Sequence, residues 1–182
     1  YINGPYDYNL IKRSLKFIKK RKKITFIDVG ANMGNHSLFF EKFCPSTKVI
    51  SFEPMEHAFS VLNRTRKLNN LNFEAHRLGL SDKIGEMQIK FDDLSEIIHT
   101  ATLDSFNLSN VAVIKIDIEG MESRALQGML NTLKRNNPIL FIEGNTEEEV
   151  KEQSLVLNPL GYKQTGRVWN ATPTYEWKTF ED

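Results

Sequence analysis

The chain has 182 residues, 40% hydrophobic and 26% charged, a balance too apolar for a disordered chain and sized for one folded domain. Lysine and arginine number 24 against 23 aspartate and glutamate, so a net charge of +1 supplies no global attraction to nucleic acid or anionic lipid. The single cysteine, Cys44, excludes an intramolecular disulfide framework and a thiolate zinc site. No apolar run approaches the roughly 18 residues of a membrane span, and the expectation is a cytoplasmic protein.

Short apolar runs alternate with amphipathic stretches along the chain. Residues 8–20 read as a helix carrying Leu10, Ile11, Leu15, Phe17 and Ile18 among lysines. A buried strand over 24–29 and a helix over 35–43 follow, then a strand over 49–52 and a helix over 56–68. Residues 72–76 read as a third strand. Residues 85–91 read as an extra one, because Met87, Ile89 and Phe91 alternate with Gln88 and Lys90. The polar stretch 92–104 reads as loop. The strongest strand runs over 111–118, a helix over 119–134, a strand over 138–142 and a helix over 147–157. A terminal strand pair forms around Tyr162 and 175–180. The pattern predicts an α/β domain, a mostly parallel doubly wound sheet, in one unit over 1–182 with a helical lead-in at 1–23 and the core at 24–182.

The most informative stretch is Asp28-Val29-Gly30-Ala31-Asn32-Met33-Gly34-Asn35, a strand end, a glycine turn and a helix start. Nineteen positions after Gly34, at the end of the second strand, stands Glu53. A carboxylate there accepts hydrogen bonds from both hydroxyls of a ribose. A dinucleotide wants a second glycine two residues after the first, so that backbone meets pyrophosphate. Here Asn32 fills that position. Asp28 is poorly matched to a pyrophosphate and suits a cation, and the exposed amides of the turn suit a carboxylate. These residues favour S-adenosyl-L-methionine over a nicotinamide dinucleotide.

With Asp28-Val29-Gly30-Ala31-Asn32-Met33-Gly34-Asn35-His36-Ser37, Phe52-Glu53-Pro54, Thr102-Leu103-Asp104 and Ile114-Lys115-Ile116-Asp117-Ile118-Glu119-Gly120-Met121-Glu122 in this order, the chain resembles the FkbM-type family of S-adenosylmethionine-dependent methyltransferases. The segment 115–122 is the most family-specific. The resemblance implies a Rossmann-like class I methyltransferase fold with an antiparallel C-terminal strand. It also implies O-methylation of a hydroxyl on a sugar, glycan or secondary metabolite. Carried over, Asp28, Gly30, Asn32 and Gly34 line the methionine end of the cofactor, with Asn35 and Pro54 in the same set. Glu53 holds the ribose, and Leu80, Ser81 and Asp82 border the adenine.

Asp117, at the end of the strongest strand, is expected to share one crevice with Asp28 and Glu53. Glu119 and Glu122, three apart, share a helix face, and Glu143 ends the next strand. Acids gathered on one rim call for a compensating cation. Asp117, Glu143 and His36 are the candidate bases for a hydroxyl nucleophile. Glu119, Glu122 and Tyr6 are candidate acceptor contacts, Tyr6 as part of a lid. For one of the two glutamates, stabilisation of a helix N-terminus is the competing role. Asp117, Glu119 and Glu143 offer the hard oxygen ligands of a divalent cation, a reading placed below the metal-free one.

Three alternatives come from other classes. The basic run Lys16, Lys19, Lys20, Arg21, Lys22 and Lys23 would serve an RNA methyltransferase. However, it also suits a solvated helix end, and the Asn/Asp-Pro-Pro-aromatic motif of amine methylation is absent at 117–120. A nicotinamide oxidoreductase is disfavoured by Asn32. A binding module that has kept only the fold is separated by turnover alone.

Overall fold

A computed structural model describes residues 8–21, 24–44, 47–91, 94–169 and 172–179. In chain order the elements are α1 (Tyr8–Arg21), β1 (Thr25–Val29), α2 (Asn35–Phe43), β2 (Lys48–Phe52), α3 (Glu56–Leu68), β3 (Glu74–His76), β4 (Gly79–Leu80), β5 (Gly85–Phe91) and β6 (Leu94–Ala101). They continue as β7 (Val111–Ile116), α4 (Glu122–Gln127), α5 (Leu130–Asn136), β8 (Ile139–Glu143), α6 (Glu147–Leu157), β9 (Tyr162–Trp169) and β10 (Thr174–Thr179). Among the described residues, no helix is long and apolar enough to cross a membrane.

Seven strands form one sheet in the order β3-β2-β1-β7-β8-β10-β9. The pairings among β3, β2, β1, β7 and β8 are parallel, and β10 runs antiparallel to both neighbours. Every residue of β1, β7 and β8 is buried, the condition that makes a central parallel strand read as a continuous apolar run. The pleat divides their side chains between two cores. Ile27, Val29, Ile114, Ile116 and Ile142 pack with Leu126, Met129 and Leu157 on one face. On the other face Phe26, Val113 and Phe141 pack with Leu10, Phe40 and Leu62.

This parity also sets the direction of the polar residues. Asp28, Lys115 and Glu143 occupy the same alternation as Phe26, Val113 and Phe141, so they share the face covered by α1, α2 and α3. Asp28 and Lys115 are register partners across β1 and β7.

Two expectations are corrected. The segment read as loop over 92–104 contains β6, which pairs antiparallel with β5 (Met87 opposite Ile98) and parallel with β4 in a second, three-stranded sheet. A 3-10 turn over Leu103–Phe106 follows it. The helix read over 119–134 is instead two short helices. Glu119 and Gly120 have φ of 52° and 82°, outside the right-handed helical region, so α4 starts only at Glu122. Gly128 stands at the break, and only glycine fits there, since a Cβ would stand 1.9 Å from the Ser81 carbonyl oxygen. Asp104 then caps α5, accepting the Asn131 and Thr132 amides at 2.9 and 2.7 Å.

Candidate active site

The first βα turn is held by strand backbone. The Gly30 and Ala31 amides both donate to the Phe52 carbonyl at 3.0 Å. Gly30 has φ 77°, and a Cβ on it would lie 1.8 Å from the Asp117 carbonyl oxygen, so only glycine lets the turn approach the end of β7. Asn32 takes a left-handed φ of 49°, which asparagine tolerates. Its amide thereby donates to Glu53 Oε2 at 2.8 Å. Gly34, at φ 85°, precedes α2, and Asn35 opens that helix.

Glu53 is buried, and its Oε1 accepts the Met55 amide at 2.9 Å. Burial raises its carboxyl above the ordinary 4.5, opposed by the Met55 and Asn32 hydrogen bonds. A carboxylate has about four lone-pair sites, so with one amide on each oxygen Glu53 is fixed in place and still able to accept from a diol.

Beside Glu53 opens a crevice lined by Gly30, Phe52, Pro54, Ser81, Ile118 and Met121, together with Leu80 of β4. Met87, Ile89, Ile98 and Thr100 of the second sheet form the opposite wall. Of the residues expected around a nucleoside, Gly30, Pro54, Leu80 and Ser81 line it. Asp82 stands at its edge, accepting from the Ser81 hydroxyl at 2.8 Å and paired with Arg124 at 3.2 Å; these two partners hold its carboxyl below the ordinary value. The second-sheet wall escapes sequence reasoning because the loop reading erased β6.

The carboxylates do not all meet in that crevice, and none of Asp28, Glu53 and Asp117 is among its lining groups. Asp28 is fully buried beneath α2, where its Oδ2 accepts from Ser37 Oγ at 2.6 Å, with Ser51 Oγ 2.7 Å further on. This corrects the expectation that Asp28 opens to the cofactor, and the reason is strand parity. Its Oδ1 has no hydrogen-bond partner among the described residues. Glu122 is corrected as an acceptor contact. It is buried, and its Oε1 accepts the amides of Ile118 and Gly120 at 3.2 and 3.3 Å, tying down the loop before its own helix. Burial raises its carboxyl. Tyr6 lies outside the described residues.

A second cluster sits on the α2 face. Asp117, Glu119 and Glu143 bring one carboxylate oxygen each to within 4.8 Å of one another. Lys115, which sequence reasoning passed over, is 3% exposed and places Nζ 2.9 Å from Asp117 Oδ2. Burial alone would raise Asp117, but the Lys115 ammonium more than offsets it and holds the carboxyl below its usual range. Glu143 is 3% exposed. Burial, its hydrogen bond with Asp117 and the charges of Asp117, Glu119 and Glu122 push its carboxyl up to about 7. Its Oε2 has no hydrogen-bond partner among the described residues. His36, buried on the first turn of α2, stands close enough that its cationic form also favours ionised Asp117.

Comparison with known proteins agrees with this architecture. Residues 94–163 match the family model of the methyltransferase FkbM domain. Methyltransferase 1 of Beauveria bassiana (strain ARSEF 2860) is 22% identical over 142 residues, covering 57% of this chain and 57% of its own. The chain thus spans little more than half the length of that relative. The crystal structure of methyltransferase FkbM from Methylobacillus flagellatus KT superposes with a TM-score of 0.63 at 19% identity, over 86% of this chain and 43% of that one. A SAM-dependent O-methyltransferase from Thermotoga maritima superposes with a TM-score of 0.57 at 11% identity, over 97% and 67%. The fold is that of the class I methyltransferases. The FkbM resemblance lies in residues 94–163, which include the motif over 115–122.

Proposed function

We propose that this chain is an S-adenosylmethionine-dependent methyltransferase that methylates a hydroxyl oxygen of a sugar, glycan or secondary-metabolite acceptor. The observation that carries the reading is Glu53, a buried carboxylate anchored by two backbone amides, with lone pairs to spare, set between Phe52 and Pro54, which line an apolar crevice. That arrangement suits a ribose diol with a flat base beyond it. Gly30 and Asn32 give the turn its close approach and leave no cradle for a pyrophosphate. Pro54, Leu80 and Ser81 flank the base, and Asp82 borders it. Gly34 and Asn35 set the start of α2 beside the methionine end, which Asp28 supports from beneath by fixing Ser37.

When bound, the cofactor's sulfonium supplies a methyl group to an in-line nucleophile. The chain's own contribution is positioning and proton acceptance. Asp117, ionised by Lys115 and partly open to solvent, is the proton acceptor for the acceptor hydroxyl. Glu143 holds the Asp117 carboxylate by their shared hydrogen bond. His36 borders the same pocket, and Glu119 is the acceptor contact on the rim. Calorimetry with S-adenosylhomocysteine tests the reading, with saturable one-to-one binding in the micromolar range expected. No heat of binding at millimolar ligand overturns it.

A further inference from the structure

We propose that Asp117, Glu119 and Glu143 form a binding site for a calcium-sized divalent cation. Two segments converge to make it. Asp117 follows β7 and Glu143 ends β8, strands that run parallel in register, with Ile116 opposite Ile142. The pleat therefore sends both carboxylates to the α2 face of the sheet. Glu119 comes back over them because its own backbone, at φ 52°, reverses the chain directly after β7.

The observation that points to a ligand is Glu143. Its side chain is 3% exposed, and Oε2 lacks a hydrogen-bond partner among the described residues. A buried carboxylate oxygen away from water is costly unless it is paired or coordinates a metal. The Lys115 ammonium meets Asp117 Oδ2 at 2.9 Å and gives no hydrogen bond to Glu143 Oε2.

Spacing allows one ion to reach all three groups. Two oxygens in one coordination shell cannot stand further apart than twice the metal–oxygen distance, about 4.6–5.2 Å for calcium, and the three oxygens lie within 4.8 Å of one another. The donors are all carboxylate, with no imidazole or thiolate among them, which selects a hard cation over zinc or copper. Calcium takes about 6–8 oxygens, so three protein donors leave positions open for water or for an incoming ligand. On the proposed function, which this part rests on, those positions receive neighbouring hydroxyls of the acceptor. The acceptor class narrows to compounds with two adjacent oxygens, such as a sugar diol.

The test is calorimetry of the chelator-treated full chain with calcium chloride, paralleled by the electron paramagnetic resonance signal of added manganese(II). One site with a Kd between about 10⁻⁵ and 10⁻³ M is expected. Glu143→Gln is expected to weaken binding at least about tenfold, and Glu119→Gln, on an exposed residue, about threefold or more. Glu148→Gln, on α6, leaves it unchanged. Absence of saturable binding at about 10 mM calcium, or unchanged affinity in both ligand variants, overturns the site. Should Glu143→Gln fail to fold, Glu119→Gln decides alone. Titration with S-adenosylhomocysteine in the presence of chelator separates the two readings. Nucleoside binding without calcium binding refutes the cation site and leaves the cofactor reading standing, and calcium binding without the nucleoside does the reverse.

Discussion

The end of β2 and the paired ends of β7 and β8 are both finished with carboxylates, and the two are completed in opposite ways. At β2, each oxygen of Glu53 accepts a backbone amide. At β8, one oxygen of the similarly buried Glu143 has no hydrogen-bond partner among the described residues, and its neighbours include two other acids. A carboxylate whose geometry is fixed by main-chain amides is part of the scaffold and presents its remaining lone pairs at a set position. The partner of Glu143 is itself an acid, Asp117, and a carboxyl group among like charges is lowered in energy when a cation or a proton arrives.

Substitutions at the two rims sharpen that contrast. The largest effect is expected from Asp117→Asn. Methyl transfer to an acceptor found by screening falls about 10²–10⁴-fold, while S-adenosylhomocysteine affinity stays within about threefold. A parallel loss of nucleoside affinity would erase the distinction between the rims. Glu53→Ala works the other way. Removing a charged hydrogen-bond acceptor weakens S-adenosylhomocysteine by about 10–100-fold in calorimetry. The wild-type affinity also carries a pH signature. Burial raises the Glu53 carboxyl above 4.5, so the ribose-binding anion is lost as pH falls through a value higher than an exposed glutamate would set. The same titration on Glu53→Ala should be flat. The smallest effect is expected at Glu122, a scaffold carboxylate by the same criterion. Its folded-state pKa is raised above 4.5, so the stability it contributes is complete below that value and is lost as pH rises through the folded pKa. Glu122→Gln therefore makes the decline of Tm from acidic to neutral pH shallower, read by thermal melts across that range.

The first rim was legible in the sequence because its constraints are local. A strand buried on both faces, a glycine turn and an acid at the next strand end lie within 30 residues. The second sheet was hidden. In β6 an isoleucine, Ile97, is 64% exposed while Thr100 is buried, so polarity does not alternate with the pleat. The division of the 119–134 helix was hidden for another reason, since the obstacle at Gly128 is a carbonyl 47 positions earlier in the chain. Lys115 did leave a signal. A charge inside the run Val-Ala-Val-Ile-Lys-Ile demands a buried partner, and Asp117, two residues on, shares its face of the pleat. Asp28 shows the limit of reading strand ends as open to ligand. Whether such a residue meets cofactor or helix depends on which face each helix covers, and only the assembled sheet decides that.

The contact between Gly128 and Ser81 joins parts that the chain order keeps apart. The joint between α4 and α5 is seated on the backbone of the crevice wall, with no side chain between to cushion the approach. Asp104 locks the far side of that joint to the segment leading from β6 into β7. Ser81, which lines the crevice, is thereby backed by the α4–α5 joint, and the joint in turn by Asp104 at the approach to β7.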